Sequence, residues 1–277
     1  MTGKQQTTSA DGTTIAYEAY GSGPVVVTVG GAFCDRGTLR DTAQALGDLG
    51  LTGVTYDRRG RGDSGDHLAG APTEEVRRQA LGREVEDLRA VIAETSGNAS
   101  AAGLFGVSSG GALVVEALSA GLPVASAAAF EVPYRTAAWP PEPEDYIGTL
   151  ERFEAAGDRE GILRYFNVDV VGMPEQAFEG MRGTPVWESL LALTYTVKYD
   201  GLCLGGDDQS LPRDVLARIG TPFLAVCSSG TAVPWLHDSA TVLADALPDA
   251  RAVELEGGFH QVPPPVLAPV LADFFQR

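Results

Sequence analysis

The sequence predicts an α/β fold: a mostly parallel sheet covered by helices on both faces and interrupted by one helical insertion. Three observations carry that expectation. Short apolar runs alternate with longer stretches of helical spacing, the rhythm of strand–helix–strand units. Val25–Val29 is a continuous β-branched run rather than an alternating one, as in strands buried on both faces. The rhythm stops after residue 133 and resumes near residue 206, with short amphipathic stretches and no clear β-run between.

Each element has its own local signal. Asp11-Gly12, between Thr7–Ala10 and Thr13–Tyr20, signals a hairpin. Gly21-Ser-Gly-Pro24 breaks the chain before the strand Val25–Val29. Arg36–Leu49 has helical spacing at Leu39, Ala43 and Leu46, and Leu51–Tyr56 is the next strand. Thr73–Thr95 reads as a long amphipathic helix with Val76, Ala80, Val85, Leu88 and Ile92 along one side. Strand Ala101–Phe105, helix Ser109–Ala120 and strand Val124–Phe130 follow. Leu150, Phe153, Ile162, Leu163 and Phe166 mark short helices, and Trp187–Val197 marks another. Phe223–Cys227, Thr241–Leu247, Ala250–Leu255 and Val266–Phe275 complete the alternation. The expected division is a core of residues 1–133 and 206–277 carrying a helical cap, 134–205.

Composition narrows the function. The 277 residues, 44% of them hydrophobic, are enough for one sizeable core. A net charge of −17, from 37 acidic and 20 basic residues, argues against a nucleic-acid partner, because phosphate binding needs a basic face. Cys34, Cys203 and Cys227 are too far apart in sequence for a disulfide framework or a zinc motif. The polar start lacks the apolar segment of a signal peptide. No stretch approaches the roughly 18–20 apolar residues of a membrane span. A cytoplasmic protein with no membrane partner is expected, and Asn98-Ala99-Ser100 is read as a chance glycosylation sequon. Asp57-Arg-Arg-Gly-Arg-Gly-Asp-Ser64 lacks the Walker lysine and the dinucleotide glycine spacing. It reads instead as a turn held by Asp57 and its neighbouring arginines, so no cofactor is implied.

The chemistry gathers after the strands, where parallel sheets place their ligands. Residues 106–110 read Gly-Val-Ser-Ser-Gly, between a strand and a small-residue helix. A sharp strand-to-helix turn exposes the central side chain, which makes Ser108 the candidate nucleophile. Gly30-Gly31-Ala32 after Val25–Val29 can turn backbone N–H groups inward. A serine hydroxyl needs an imidazole to take its proton. Of His67, His237 and His260, the first reads as a surface residue and the second as a packing or capping residue. His260, beyond Gly257-Gly258 and after a strand, is the candidate base.

Together these segments resemble the α/β-hydrolase superfamily over nearly the whole chain. The segments are Val-Gly-Gly-Ala after the third strand, Asp57–Ser64 after the fourth, the Gly-Val-Ser-Ser-Gly elbow and Glu-Gly-Gly-Phe-His near the end. Within that superfamily the chain is similar to small capped esterase-like hydrolases common in actinobacteria. The resemblance implies an eight-stranded sheet with the cap inserted after the sixth strand. It implies Ser108 as nucleophile, His260 as base, and the N–H groups of Ala32 and Ser109 as an oxyanion hole. It implies no metal and no cofactor. The usual acid after the seventh strand is missing, since that segment reads Cys-Ser-Ser-Gly-Thr-Ala-Val-Pro from Cys227. An alternative position after the sixth strand, used by some haloalkane dehalogenases, falls on Glu131 and keeps the order serine, acid, histidine. Asp238 is the second candidate acid.

A serine hydrolase acting on an ester, thioester or lactone is the expected activity. Trp139, Tyr146, Phe153, Tyr165, Phe166, Trp187 and Tyr195 suit a small apolar or aromatic substrate, while each also suits packing of the insertion onto the core. A cofactor-free lyase or biosynthetic enzyme, or a non-catalytic ligand-binding member, would keep the same residues. The sequence leaves a homodimer open.

Overall fold

A computed structural model describes residues 3–97, 101–135 and 145–277. Eight strands form one sheet in the order β1-β2-β4-β3-β5-β6-β7-β8. They are β1 (Gln5–Thr8), β2 (Thr14–Gly21), β3 (Val25–Val29), β4 (Thr52–Tyr56), β5 (Gly103–Val107), β6 (Ser126–Phe130), β7 (Phe223–Ser228) and β8 (Ala250–Leu255). The β1–β2 and β2–β4 pairings are antiparallel, and the rest of the sheet is parallel. This is the α/β-hydrolase fold expected from the sequence.

Burial explains why the apolar runs become strands. Every residue of β3, β6 and β7 is buried. Neighbours along a strand face opposite sides, so Val27, Leu104 and Ala225 pack on one face while Val26, Phe105 and Leu224 pack on the other. The first face is covered by α2 (Thr73–Ser96), α3 (Ser109–Ser119) and α11 (Ser239–Ala246), through Leu88, Val114 and Leu243 among others. The second is covered by α1 (Arg40–Asp48) and α12 (Pro264–Phe275), through Leu46, Leu267 and Leu271. Among the described residues, no helix is long and apolar enough to cross a membrane.

Between β6 and β7 the chain is helical. It runs through α4 (Tyr146–Ala155), α5 (Arg159–Arg164), a π-helical turn (Tyr165–Val170), α6 (Glu175–Glu179), α7 (Pro185–Leu193), a 3-10 turn (Thr194–Thr196), α8 (Val197–Cys203) and α9 (Arg213–Leu216). Trp187 and Phe178 pack edge-to-face at 5.2 Å, and Tyr146 stacks on Tyr165 at 5.8 Å, so this insertion has small cores of its own. α8 lies against α2 and α3 and joins the insertion to the sheet domain.

Several expected boundaries shift. The first hairpin turns over residues 9–13 rather than two residues, because Thr8 pairs with Thr14 and Gly12 alone takes a positive φ, 86°. β5 runs two residues further than Ala101–Phe105, because Gly106 fits the close approach of the following helix. The stretch Trp187–Val197 divides into α7, the 3-10 turn and α8. Trp139 and the Asn98-Ala99-Ser100 sequon lie outside the described residues.

Candidate active site

Ser108 sits between the last residue of β5 and the first of α3, with φ 55° and ψ −128°. A non-glycine residue is strained there, at a cost of about 1–3 kcal/mol. Glycines on either side make the turn possible. A Cβ at Gly110 would strike the carbonyl oxygens of Val29 and Gly30, and one at Gly106 would strike the backbone of Gly110 and Gly111. The Ser108 N–H donates to the carbonyl of Phe130 at 2.9 Å, which ties the turn to the end of β6.

Glu131 follows β6 directly and is fully buried, with φ 43°. Its Oε1 accepts the Ser228 N–H at 2.8 Å. Its Oε2 lies 2.6 Å from His260 Nδ1. A carboxylate oxygen accepts and does not donate, so Nδ1 carries a proton in this contact, and in the neutral ring Nε2 is the acceptor. His260, in the loop after β8, also has a positive φ, 49°. Its N–H donates to Thr231 Oγ1 at 2.9 Å, and its ring stacks on Phe130 at 5.5 Å. Position and tautomer of the imidazole are thus fixed from several sides.

Asp238 is placed elsewhere. It occupies the N-cap position of α11, is half exposed, and faces His237 Nδ1 at 3.4 Å rather than His260. His237 pairs through Nε2 with Glu254 at 2.7 Å, which holds its pKa above the usual imidazole value. His67 is exposed, with Nδ1 3.0 Å from the Asp11 carbonyl.

Ser108 and His260 open on one cavity of about 310 Å³. Ala32 and Ser109 line it too, and no backbone carbonyl among the described residues takes either of their N–H groups. Among the described residues the Ser108 hydroxyl makes no hydrogen bond; such contacts commonly tighten once substrate is bound. Tyr146 and Phe166 of the insertion line the cavity, whereas Phe153, Tyr165 and Trp187 pack within the insertion and Tyr195 donates to the Gly60 carbonyl at 3.0 Å. Burial holds the Cys34 thiol above its usual pKa, so it stays protonated at the cavity wall.

Beneath the cavity lies a buried ionic group that the sequence signalled only in part. Asp57 accepts from the Arg36 guanidinium and from the Arg36 and Asp63 N–H groups, so the arginine that holds it comes from before α1 and not from its own loop. Arg58 and Arg61 instead reach α8, where Arg58 donates to Asp200 Oδ1 at 2.7 Å and Arg61 to Oδ2 at 2.8 Å. Arg58 also pairs with Glu84 and donates to the Gly30 carbonyl at 3.1 Å. Two buried cations thus face two buried anions, the balance that burying charge requires.

No protein-family model and no curated protein matches the sequence. Solved structures do match. An α/β hydrolase from Sphaerobacter thermophilus is 39% identical with a TM-score of 0.85, over 98% of this chain and 100% of that one. The esterase EaEST from Exiguobacterium antarcticum is 17% identical with a TM-score of 0.69 over the full length of both chains. The bottromycin epimerase BotH is 22% identical with a TM-score of 0.61, over 99% of this chain and 97% of that one. Fold and elbow define an α/β-hydrolase architecture. At 39% identity over the whole length, the chain belongs to the α/β hydrolase family.

Proposed function

We propose that this protein is a serine hydrolase that cleaves an ester, thioester or lactone of a small apolar substrate through an acyl-enzyme. The observation that carries this reading is the 2.6 Å contact of His260 Nδ1 with Glu131 at the cavity holding Ser108. Nε2 of His260 takes the Ser108 proton as Oγ attacks the carbonyl carbon. The N–H groups of Ala32 and Ser109 hold the oxyanion, each worth about 3–4 kcal/mol in the transition state. The imidazolium, stabilised by Glu131, returns its proton to the leaving group. Water then enters by the reverse steps and frees the acid and Ser108. No metal or cofactor takes part in these steps. The insertion acts as a cap, and Tyr146 and Phe166 favour apolar or aromatic acyl groups.

A fluorophosphonate probe and a short p-nitrophenyl ester test the proposal together. Wild type should be labelled at Ser108 and should turn the ester over, and Ser108→Ala should do neither while keeping its far-UV circular dichroism. Labelling without ester, thioester or lactone turnover would assign the site to a serine-dependent lyase. No labelling would assign it to ligand binding. Either result overturns the hydrolase reading.

A further inference from the structure

One group of donor side chains takes no part in this chemistry. Cys227 on β7 and Glu254 on β8 are register partners in adjacent parallel strands, so both leave the sheet on the same face. The short helix α10 (Pro234–His237) lays His237 over them. Cys227 Sγ lies 3.9 Å from His237 Nε2, and Nε2 lies 2.7 Å from Glu254 Oε2. All three donor atoms fall within 4.8 Å of one another. The remote ring nitrogen, Nδ1, faces Asp238 Oδ1 at 3.4 Å. None of the three donors is among the residues lining the cavity.

We propose that Cys227, His237 and Glu254 form a binding site for a zinc-class divalent cation, with Asp238 orienting His237. Sulfur, imidazole nitrogen and carboxylate oxygen are the ligand types such ions take, and a carboxylate on the second ring nitrogen is their usual outer partner. Tetrahedral zinc, with Zn–S of about 2.3 Å and Zn–N of about 2.0 Å, needs a sulfur–nitrogen edge of about 3.6 Å and a nitrogen–oxygen edge of about 3.3 Å. The present sulfur–nitrogen edge, 3.9 Å, is about 0.3 Å longer and the nitrogen–oxygen edge, 2.7 Å, about 0.6 Å shorter than these. Glu254, whose side chain is 54% exposed, is free to supply that shift. His237, 34% exposed, leaves the site open to solvent, from which an ion can enter. Binding forms a metal–sulfur bond and releases the thiol proton to solvent. The ion would clamp β7, β8 and α10 together, a structural role separate from ester cleavage. Spacing hid the site, since its ligands stand 10 and 17 residues apart in sequence and only the sheet register joins them.

Chelator-treated full-length protein is titrated with Co²⁺ and then Zn²⁺. One equivalent of cobalt should give visible bands of four-coordinate intensity and a sulfur-to-cobalt charge-transfer band, which zinc abolishes while raising Tm. Cys227→Ser and His237→Gln should lose the charge-transfer band, and Asp238→Asn should weaken cobalt binding about 10–100-fold. Should Cys227→Ser fold poorly, the exposed Glu254→Gln gives the same reading, with at least about tenfold weaker cobalt binding and unchanged circular dichroism. Absence of the charge-transfer band in wild type at large cobalt excess, or its survival in His237→Gln, would overturn the site. Neither readout depends on hydrolysis, so this site and the serine hydrolase reading stand or fall separately.

Discussion

Ser109 Oγ donates to Asp200 Oδ1 at 2.8 Å, so a residue of the insertion holds the neighbour of Ser108. Arg58 extends that hold. It donates to the same carboxylate oxygen and also to the carbonyl of Gly30, two residues before Ala32. Both proposed oxyanion donors are thereby tied to one buried ionic group.

Loosening that tie should slow catalysis without emptying the cavity. Losing an oxyanion donor outright costs about 10²–10³ in kcat, so the partial displacement in Ser109→Ala should cost about tenfold, with KM within about twofold. Asp200→Asn removes one anion from a buried balanced set and should destabilise by about 3–5 kcal/mol. Steady-state kinetics check the first, and urea unfolding the second.

Glu131→Gln keeps the shape of the side chain and removes the charge facing His260. Loss of the corresponding carboxylate in serine hydrolases costs about 10⁴ in kcat, and a drop of that order is expected in ester hydrolysis. If the drop appeared in Asp238→Asn instead, the acid's role would pass to Asp238.

The elbow should tolerate no side chain at Gly110. The added methyl meets backbone oxygens of β3 and the loop after it, which cannot rotate away. Gly110→Ala should lose about 3 kcal/mol or more through overpacking, read as a lowered urea midpoint or as loss of soluble protein.

Stability in acid should depend on Glu18. Hydrogen bonding from Arg40, opposed by burial and reinforced by Tyr20 and Arg36, lowers its pKa to about 2. A carboxylate depressed in the folded state stabilises above its unfolded pKa of about 4.3, and that contribution disappears as pH falls through the folded value. The Tm gap between wild type and Glu18→Gln should be full at pH 6, shrink below about pH 4.3 and close near pH 2.

Strand runs such as Val25–Val29 were legible because burial on both faces favours a continuous β-branched run with no polar alternation. The elbow was legible because its glycines are obligatory. The family resemblance, with chain order, pointed to Glu131, whose Oε2 lies 2.6 Å from His260 Nδ1. The Asp200–Ser109 contact was not legible, since it joins residues 91 apart, and the two arginines that share its carboxylate read as part of a turn held by Asp57. Gln209, Trp235 and Phe259 at the cavity were missed for a related reason. Trp235 and Phe259 follow strands β7 and β8, a position that could have flagged both. Gln209 carries no local signal beyond a positive φ, which the sequence does not display.

That backbone geometry has a consequence for selection. Ser108, Glu131 and His260 each adopt a left-handed φ without being glycine. Such conformations cost about 1–3 kcal/mol apiece, and residues at ease there relieve them. Ser108→Gly should therefore melt higher than wild type while hydrolysing nothing. A library screened for survival of heating alone would collect inactive sequences, with their lesions concentrated at the residues that make the protein useful.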